Sequence, residues 1–161
     1  MKELTFTTHS PEETRELAAR LGPGLHPGDV LALTGELGSG KTEFVRGLAQ
    51  GLGVPPETPV ASPSFILARE YPGRLTLIHL DLYRLEDLPP ELLPDVEEYL
   101  YGPHVVAVEW AERLKNLLPR DCLEVQFTVV GESQRQLIFR ARGERGLALL
   151  QYLVGAPDRP Q

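Results

Sequence analysis

A glycine loop held between a strand and a helix limits what this chain can fold into more than any other feature. Residues 30–34 (VLALT) form an apolar run, GELGSGKT follows at 35–42, and Phe44, Val45, Leu48, Ala49 and Leu52 then recur at helical spacing until Gly53. Strand, Gly-x-x-x-x-Gly-Lys-Thr loop and helix in that order are the context in which this motif holds phosphate. Its glycines let backbone N–H groups converge where side chains would collide. The helix beginning near Lys41 adds the positive end of its dipole. Lys41 is placed for the β- and γ-phosphates and the Thr42 hydroxyl for Mg²⁺. The bland alternative, a glycine-rich turn joining strand to helix, requires every constrained position and both flanks to coincide by chance.

The surrounding sequence supplies a sheet for that unit. Residues 4–7 read as a short strand, and Ser10-Pro11-Glu12-Glu13 as a helix start: Ser10 as N-cap, Pro11 at the first helical position and Glu13 closing a capping box. Leu17, Ala18 and Leu21 give that helix its apolar face, and Gly22-Pro23 ends it. Four prolines make residues 54–63 a stiff, irregular loop. Residues 64–70 and 75–81 read as antiparallel strands about the turn Tyr71-Pro72-Gly73-Arg74. Residues 85–100, acidic and broken by Pro89, Pro90 and Pro94, suit short surface helices. A four-residue apolar strand at 105–108 leads to Glu109-Trp110, and residues 111–118 are a candidate helix. Residues 122–130 and 135–142 read as a hairpin, and 147–154 as a closing helix. Strands alternating with helices predict an α/β fold, a P-loop NTPase-like mixed sheet flanked by helices. The expected organisation is a single domain over residues 1–154 with a flexible tail at 155–161.

Composition narrows the function. A chain of 161 residues suits one core. Its net charge is −7, with 16 lysines and arginines scattered among 23 acids and no basic cluster, which argues against independent binding of nucleic acid. No apolar run approaches the length of a membrane span, and MKELTFTTHS has no signal-peptide pattern. The lone Cys122 permits no intrachain disulfide. A cytoplasmic location is expected.

A nucleotide-hydrolysing site of this kind needs an acid at the end of a buried strand, to reach the metal directly or through water. Two places qualify: Glu109 after VVAV, and Asp81 after LIHL, where His79 interrupts the run. His79 reads first as a structural histidine in a sheet and Cys122 as a small buried hydrophobe. Trp110 reads as core or as the rim of a site, and the acids of residues 91–98 as a solvated face.

Three classes remain open on residues alone: a small-molecule kinase, a hydrolysing switch, and a nucleotide-stabilised binding module. A kinase usually carries a mobile, arginine-bearing lid after its core helices, whereas residues 122–142 read as a hairpin. No Asn-Lys-x-Asp base-reading motif is present, so ATP is favoured over GTP.

Taken together, GELGSGKT, SPSF at 62–65, HLDLYRL at 79–85 and VEW at 108–110 closely resemble the TsaE (YjeE) family over most of the chain. The resemblance implies a bacterial, cytoplasmic P-loop ATPase. Such proteins are required for the threonylcarbamoyladenosine (t6A) modification beside the anticodon of tRNAs reading codons that begin with A. They act with the proteins TsaD and TsaB rather than on tRNA directly. Carried over by position, Gly38, Ser39, Gly40, Lys41 and Thr42 bind phosphates, Thr42 and Glu109 hold Mg²⁺, and Asp81 supports hydrolysis with Lys41. Pro11 and Gln134 match positions that contact nucleotide, and residues 62–65 match a nucleotide-sensing loop. Two departures stand out. Glu43 replaces a common second threonine, putting an acid near the phosphates, and Ser64 replaces the threonine of SPTF while keeping its hydroxyl. The resemblance favours the switch, with the small-molecule kinase as the alternative.

Overall fold

The computed structural model describes residues 3–56, 67–83 and 88–155, and of Leu67 and Lys115 the backbone alone. Among these residues, seven strands form one sheet. Their order is β1 (Glu3–Thr8), β7 (Arg135–Arg142), β6 (Cys122–Val129), β2 (Val30–Gly35), β5 (Val105–Glu109), β4 (Leu77–Asp81) and β3 (Leu67–Tyr71). β6, β2, β5 and β4 run parallel. β7 and β3 run against their neighbours, and β1, antiparallel to β7, points the same way as β2. The mixed α/β sheet expected from the sequence is present.

The central strands are apolar on both faces because helices cover both. Leu31 and Leu33 of β2, with Val105 and Ala107 of β5, pack against α1 (Pro11–Ala19), α2 (Lys41–Gly51) and α4 (Gly143–Gln151) through Leu17, Phe44, Leu48 and Leu149. The alternate residues Val30, Ala32, Val106 and Val108 meet α3 (Leu93–Leu100) and the 3₁₀ turns of Ala111–Leu117 through Val96, Leu100 and Leu114. Continuous runs such as VLAL and VVAV thus reflect a two-residue period in which both phases are buried. Each fully buried leucine or valine of this set contributes about 1.5–3 kcal/mol.

Local readings differ from the structure in instructive places. Ser10 caps α1, its Oγ accepting from the Glu13 N–H at 3.1 Å. Glu13 in turn reaches back past the cap, accepting from the N–H of His9 at 2.8 Å. The closing helix starts four residues before the expected 147, at Gly143, and ends at Gln151. A carboxylate distant in sequence accounts for this, since Asp121 accepts the Arg145 N–H at 3.2 Å and supplies a cap that no neighbouring residue offers. Residues 111–117 wind as 3₁₀ helix, following a Trp110 in the left-handed region (φ 63°, ψ 42°). The predicted strand over 64–66, most of the 54–63 loop, the SPSF loop, Ser64 and the tail from 156 onward lie outside the described residues.

One consequence of the strand order matters for function. The carboxyl ends of β2, β6, β5, β4 and β1 share one edge of the sheet, joined by the start of β7. The glycine loop, Asp81, Glu109, the start of α1 and the β6–β7 turn therefore gather there, where open α/β sheets bind ligands.

Candidate functional site

The site is built outward from the loop joining β2 to α2. Gly35 has φ 141°, and a Cβ there would lie 2.7 Å from the Phe127 carbonyl oxygen and 2.9 Å from Ser39 Oγ, so neither conformation nor space admits a side chain. Gly40, at φ 107°, forms the N-cap of α2 and leaves the first N–H groups of the helix without a side-chain cap. Ser39 Oγ is fully buried and makes no hydrogen bond. A turn whose only task was to reverse the chain would gain nothing from uncapped donors and an orphaned hydroxyl. An anion seated in the loop would use both.

Lys41, 3% exposed, donates from Nζ to the Gly35 carbonyl, and its ammonium lies 3.7 Å from the centre of the Trp110 ring. Burial lowers its pKa against the opposing pull of Glu109, Glu112 and Asp81. The next residue, Thr42, donates its hydroxyl to Glu109 Oε2 at 3.2 Å. Burial alone would raise the Glu109 pKa. The hydrogen bond and charge of His79, the Thr42 bond and Lys41 together outweigh that and hold the carboxyl below its ordinary range.

Register places the second acid. Asp81 of β4 lies directly across from Glu109 of β5, so the two strand-ending carboxylates named from sequence are neighbours at the sheet edge. Asp81 Oδ1 accepts the Tyr83 N–H at 3.1 Å, which turns the chain as it leaves the strand. Gly38, Gly40, Lys41, Thr42, Asp81, Glu109 and Trp110 line a common cleft of about 270 Å³, with Leu37, Glu43 and Tyr83 completing its wall. A larger hollow of about 440 Å³ opens beside Thr34, Glu124, Gln126, Arg140 and Arg142. Two of its arginines are engaged, Arg140 by Glu3 and Gln126 and Arg142 by Glu124, and neither the glycine loop nor the strand-ending acids Asp81 and Glu109 line it; the smaller cleft brings both together.

The remaining sequence-named residues are placed differently. Glu43 reaches the cleft wall, yet its carboxylate is tied to Arg15 of α1 and, at 2.5 Å, to Arg46. The acid that looked adverse beside phosphates thus clamps α1 to α2 and has its charge matched there. Pro11 and Gln134 share the sheet edge through the pairing of Thr8 with Arg135, but neither lines the cleft around Lys41.

Two residues were not singled out as site residues. Arg135 donates to the carbonyls of Gly131, Glu132 and Gln134, and from Nη2 to that of Gly38 at 3.3 Å, fastening the β6–β7 turn to the glycine loop. No local pattern announces a contact spanning 97 positions. His79, read as structural, bonds Glu109, and here a signal existed. His79 and Asp81 are two apart on one strand and so face the same side as the site.

The donor set suits Mg²⁺ bound with a nucleotide. A hydroxyl and one carboxylate meet at the mouth of the loop, with a second carboxylate beside them and no cluster of three His, Cys, Asp or Glu ligands among the described residues. Magnesium is characteristically held by one or two such groups together with substrate phosphates.

Comparison with known proteins agrees with this geometry. The family model for threonylcarbamoyl adenosine biosynthesis protein TsaE matches residues 8–137. The tRNA threonylcarbamoyladenosine biosynthesis protein TsaE of Bacillus subtilis is 41% identical over 146 residues, covering 90% of each chain. The protein of the same name from Nostoc is 44% identical over 131 residues, covering 78% of each. The crystal structure of Bacillus subtilis YdiB superposes with a TM-score of 0.78 at 35% identity, over 96% of this chain and 95% of that one. The family model covers most of the chain, and the glycine loop and both strand-end acids fall inside the match. The chain belongs to the TsaE family.

Proposed function

We propose that this protein binds Mg·ATP in the Lys41–Glu109 cleft and hydrolyses it as an accessory to the t6A modification of tRNA, in the cytoplasm, with TsaD- and TsaB-type partners. One observation carries the nucleotide reading. Thr42 Oγ1 lies 3.2 Å from Glu109 Oε2, beside a buried lysine and beneath uncapped helix N–H groups. The tRNA pathway rests on the family and on the names of its relatives.

Roles follow from position. Gly38, Ser39 and Gly40 supply the phosphate cradle, and Lys41 exchanges the Gly35 carbonyl for phosphate oxygens. Thr42 and Glu109 would hold Mg²⁺, which when bound neutralises charge on the β- and γ-phosphates. Asp81, next to Glu109 and bonded by the Tyr83 N–H, would orient the attacking water. Pro11 and Gln134 stand at the same edge for the remainder of the nucleotide. The kinase alternative gains no support, since residues 122–142 contribute a β-hairpin. Hydrolysis by the chain alone should be slow, because a single lysine and a single metal ion do only part of the work of phosphoryl transfer.

The test is ATP turnover by the purified chain, alone and with TsaD and TsaB from the same source. Partner-dependent acceleration without any phosphorylated acceptor is expected. Equal turnover with and without partners, or transfer to a small molecule, would refute the accessory role.

A further inference from the structure

The His79–Glu109 contact lies beneath the cleft, and the roles above leave it unused. His79 is 4% exposed and stands on β4, facing the α2 side of the sheet. Its Nε2 lies 2.5 Å from Glu109 Oε2, the oxygen that also accepts from Thr42. Its Nδ1 is buried and makes no hydrogen bond. A carboxylate only accepts, so Nε2 carries the proton and the ring meets Glu109 as a donor. Both bonds fall on Oε2, and Oε1 is left without a hydrogen-bond partner among the described residues.

We infer that His79 is a positioning residue for magnesium: by anchoring Oε2 it fixes the Glu109 carboxylate so that Oε1 faces the metal bound with the nucleotide. This rests on the reading of the cleft as a Mg·nucleotide site. A glutamate has three rotatable side-chain bonds and strands end in mobile turns, so an unanchored Glu109 would sample orientations that miss the ion. The diagonal placement across β4 and β5 (His79 pairs with Ala107, Asp81 with Glu109) lets the ring reach two residues along the neighbouring strand, on the same face of the sheet. Outer partners of metal-binding carboxylates act in this way generally. Ile78 and Leu80, which flank His79 in its strand, carry no donor and cannot make such a bond. A histidine kept only to fill space would need no donor aimed at the single buried carboxylate beside it.

An equilibrium measurement tests this apart from turnover. The affinity for a fluorescent adenine nucleotide is read by anisotropy, first in EDTA and then in saturating Mg²⁺, and the ratio of the two reports the metal's contact with the protein. His79→Gln carries an amide donor to about where Nε2 lies, whereas the amide of His79→Asn stops near Nδ1. His79→Gln is expected to keep the parental ratio within about twofold. His79→Asn should lower it about tenfold, the low end of the effect of losing an outer partner, with the EDTA affinity unchanged in both. If His79→Asn does not fold, as judged by its thermal melt, His79→Leu keeps the bulk, lacks the donor and should show the same fall. An unchanged ratio in the donor-less variant overturns the inference, and so does an equal fall in His79→Gln. A parental ratio near one instead overturns the magnesium reading of the cleft, and this inference with it.

Discussion

Replacing Lys41 by methionine should separate binding from folding, because the structure loads opposite signs onto the two. In the folded chain the ammonium is nearly out of water, which lowers its pKa. It is compensated by one neutral carbonyl, Gly35 O, by the Trp110 ring at 3.7 Å, and by nearby Glu109. The methionine keeps the stem and its thioether can meet the indole for about 0.3–1.5 kcal/mol. It forfeits a cation–π contact of about 0.5–2 kcal/mol and leaves Gly35 O without its donor, at about 1–3 kcal/mol if water does not replace it. It also removes a charge whose burial is costly. These terms largely cancel, so stability should change by no more than about 1–2 kcal/mol, or about 2–8 °C in Tm for a domain of this size. Binding has no such cancellation. A charge-assisted phosphate contact contributes about 1.5–3 kcal/mol, so affinity for Mg·ATP should fall about 10- to 150-fold. Circular-dichroism melts and nucleotide anisotropy on the same preparation give both numbers. A variant that melts like the parent and binds within twofold of it would refute the site; one that unfolds outright would refute the balance drawn here.

Three further outcomes follow from the geometry. Asp81→Asn should bind Mg·ATP within about threefold of the parent yet hydrolyse it at least about 100-fold more slowly, a loss in the usual range for a catalytic group; full turnover in single-turnover assays would remove Asp81 from the chemistry. The Cys122 thiol is buried, and desolvation, aided by Glu124, pushes its pKa up to about 11. The folded chain therefore holds that proton longer than the unfolded one, and the associated stability, intact below about pH 9, is lost as pH rises towards 11. Iodoacetamide at pH 8 should label native protein at least about 100-fold more slowly than unfolded protein, and equal rates would contradict the burial. Arg145 grips Asp29 through two bonds (2.8 and 2.6 Å) and also reaches Gly24 O. Asp29 is buried and Arg145 partly exposed, so Arg145→Ala should cost about 2–3 kcal/mol, the low side for a broken buried pair. A Tm within 2 °C of the parent would show that solvent screens Asp29 after all.

Parts of this protein were legible because their signals are local. The glycine loop, the N-cap at Ser10 and the doubly apolar strands each follow from a few adjacent residues, and all are present in the structure. The two strand-end acids were legible for the same reason, and only the parallel register of β4 with β5 was needed to bring them together. What escaped depends on pairs far apart in the chain. Asp121 starts α4 early, Arg15 neutralises Glu43, and Arg135 fastens a turn to Gly38. Each is a charged side chain meeting a backbone or charge partner across the fold, and a single sequence carries no periodicity for that. His79 falls between. Its phase on the strand was readable, but its partner was not, and a histidine among leucines reads as core until the neighbouring strand is placed.

The arrangement of these groups explains why a small domain can keep an ammonium and a carboxylate inside it. The Lys41 ammonium, the Thr42 hydroxyl, the Glu109 carboxylate and His79 Nε2 are partnered through Gly35 O, the Trp110 ring and Glu109 Oε2. The desolvation of both charges is thus borne by folding and offset by core burial on both sheet faces, rather than being charged to each binding event. A phosphate arriving in the loop has only to exchange for a neutral carbonyl on the lysine and meets helix donors already aimed. Trp110 fits the same logic. A tryptophan in the left-handed region costs of order 1–3 kcal/mol, and it is the one non-glycine residue with positive φ among those described. That backbone turns the indole over Lys41 immediately after Glu109. In an extended conformation the ring would follow the strand instead, and the ammonium would lose the face it rests on. Strain in the backbone, burial of charge and an orphaned Ser39 hydroxyl all occur within eight residues of sequence or one strand spacing of the loop. A domain under selection for stability alone would have removed each of them, and their concentration at one edge is what the proposed phosphate site accounts for.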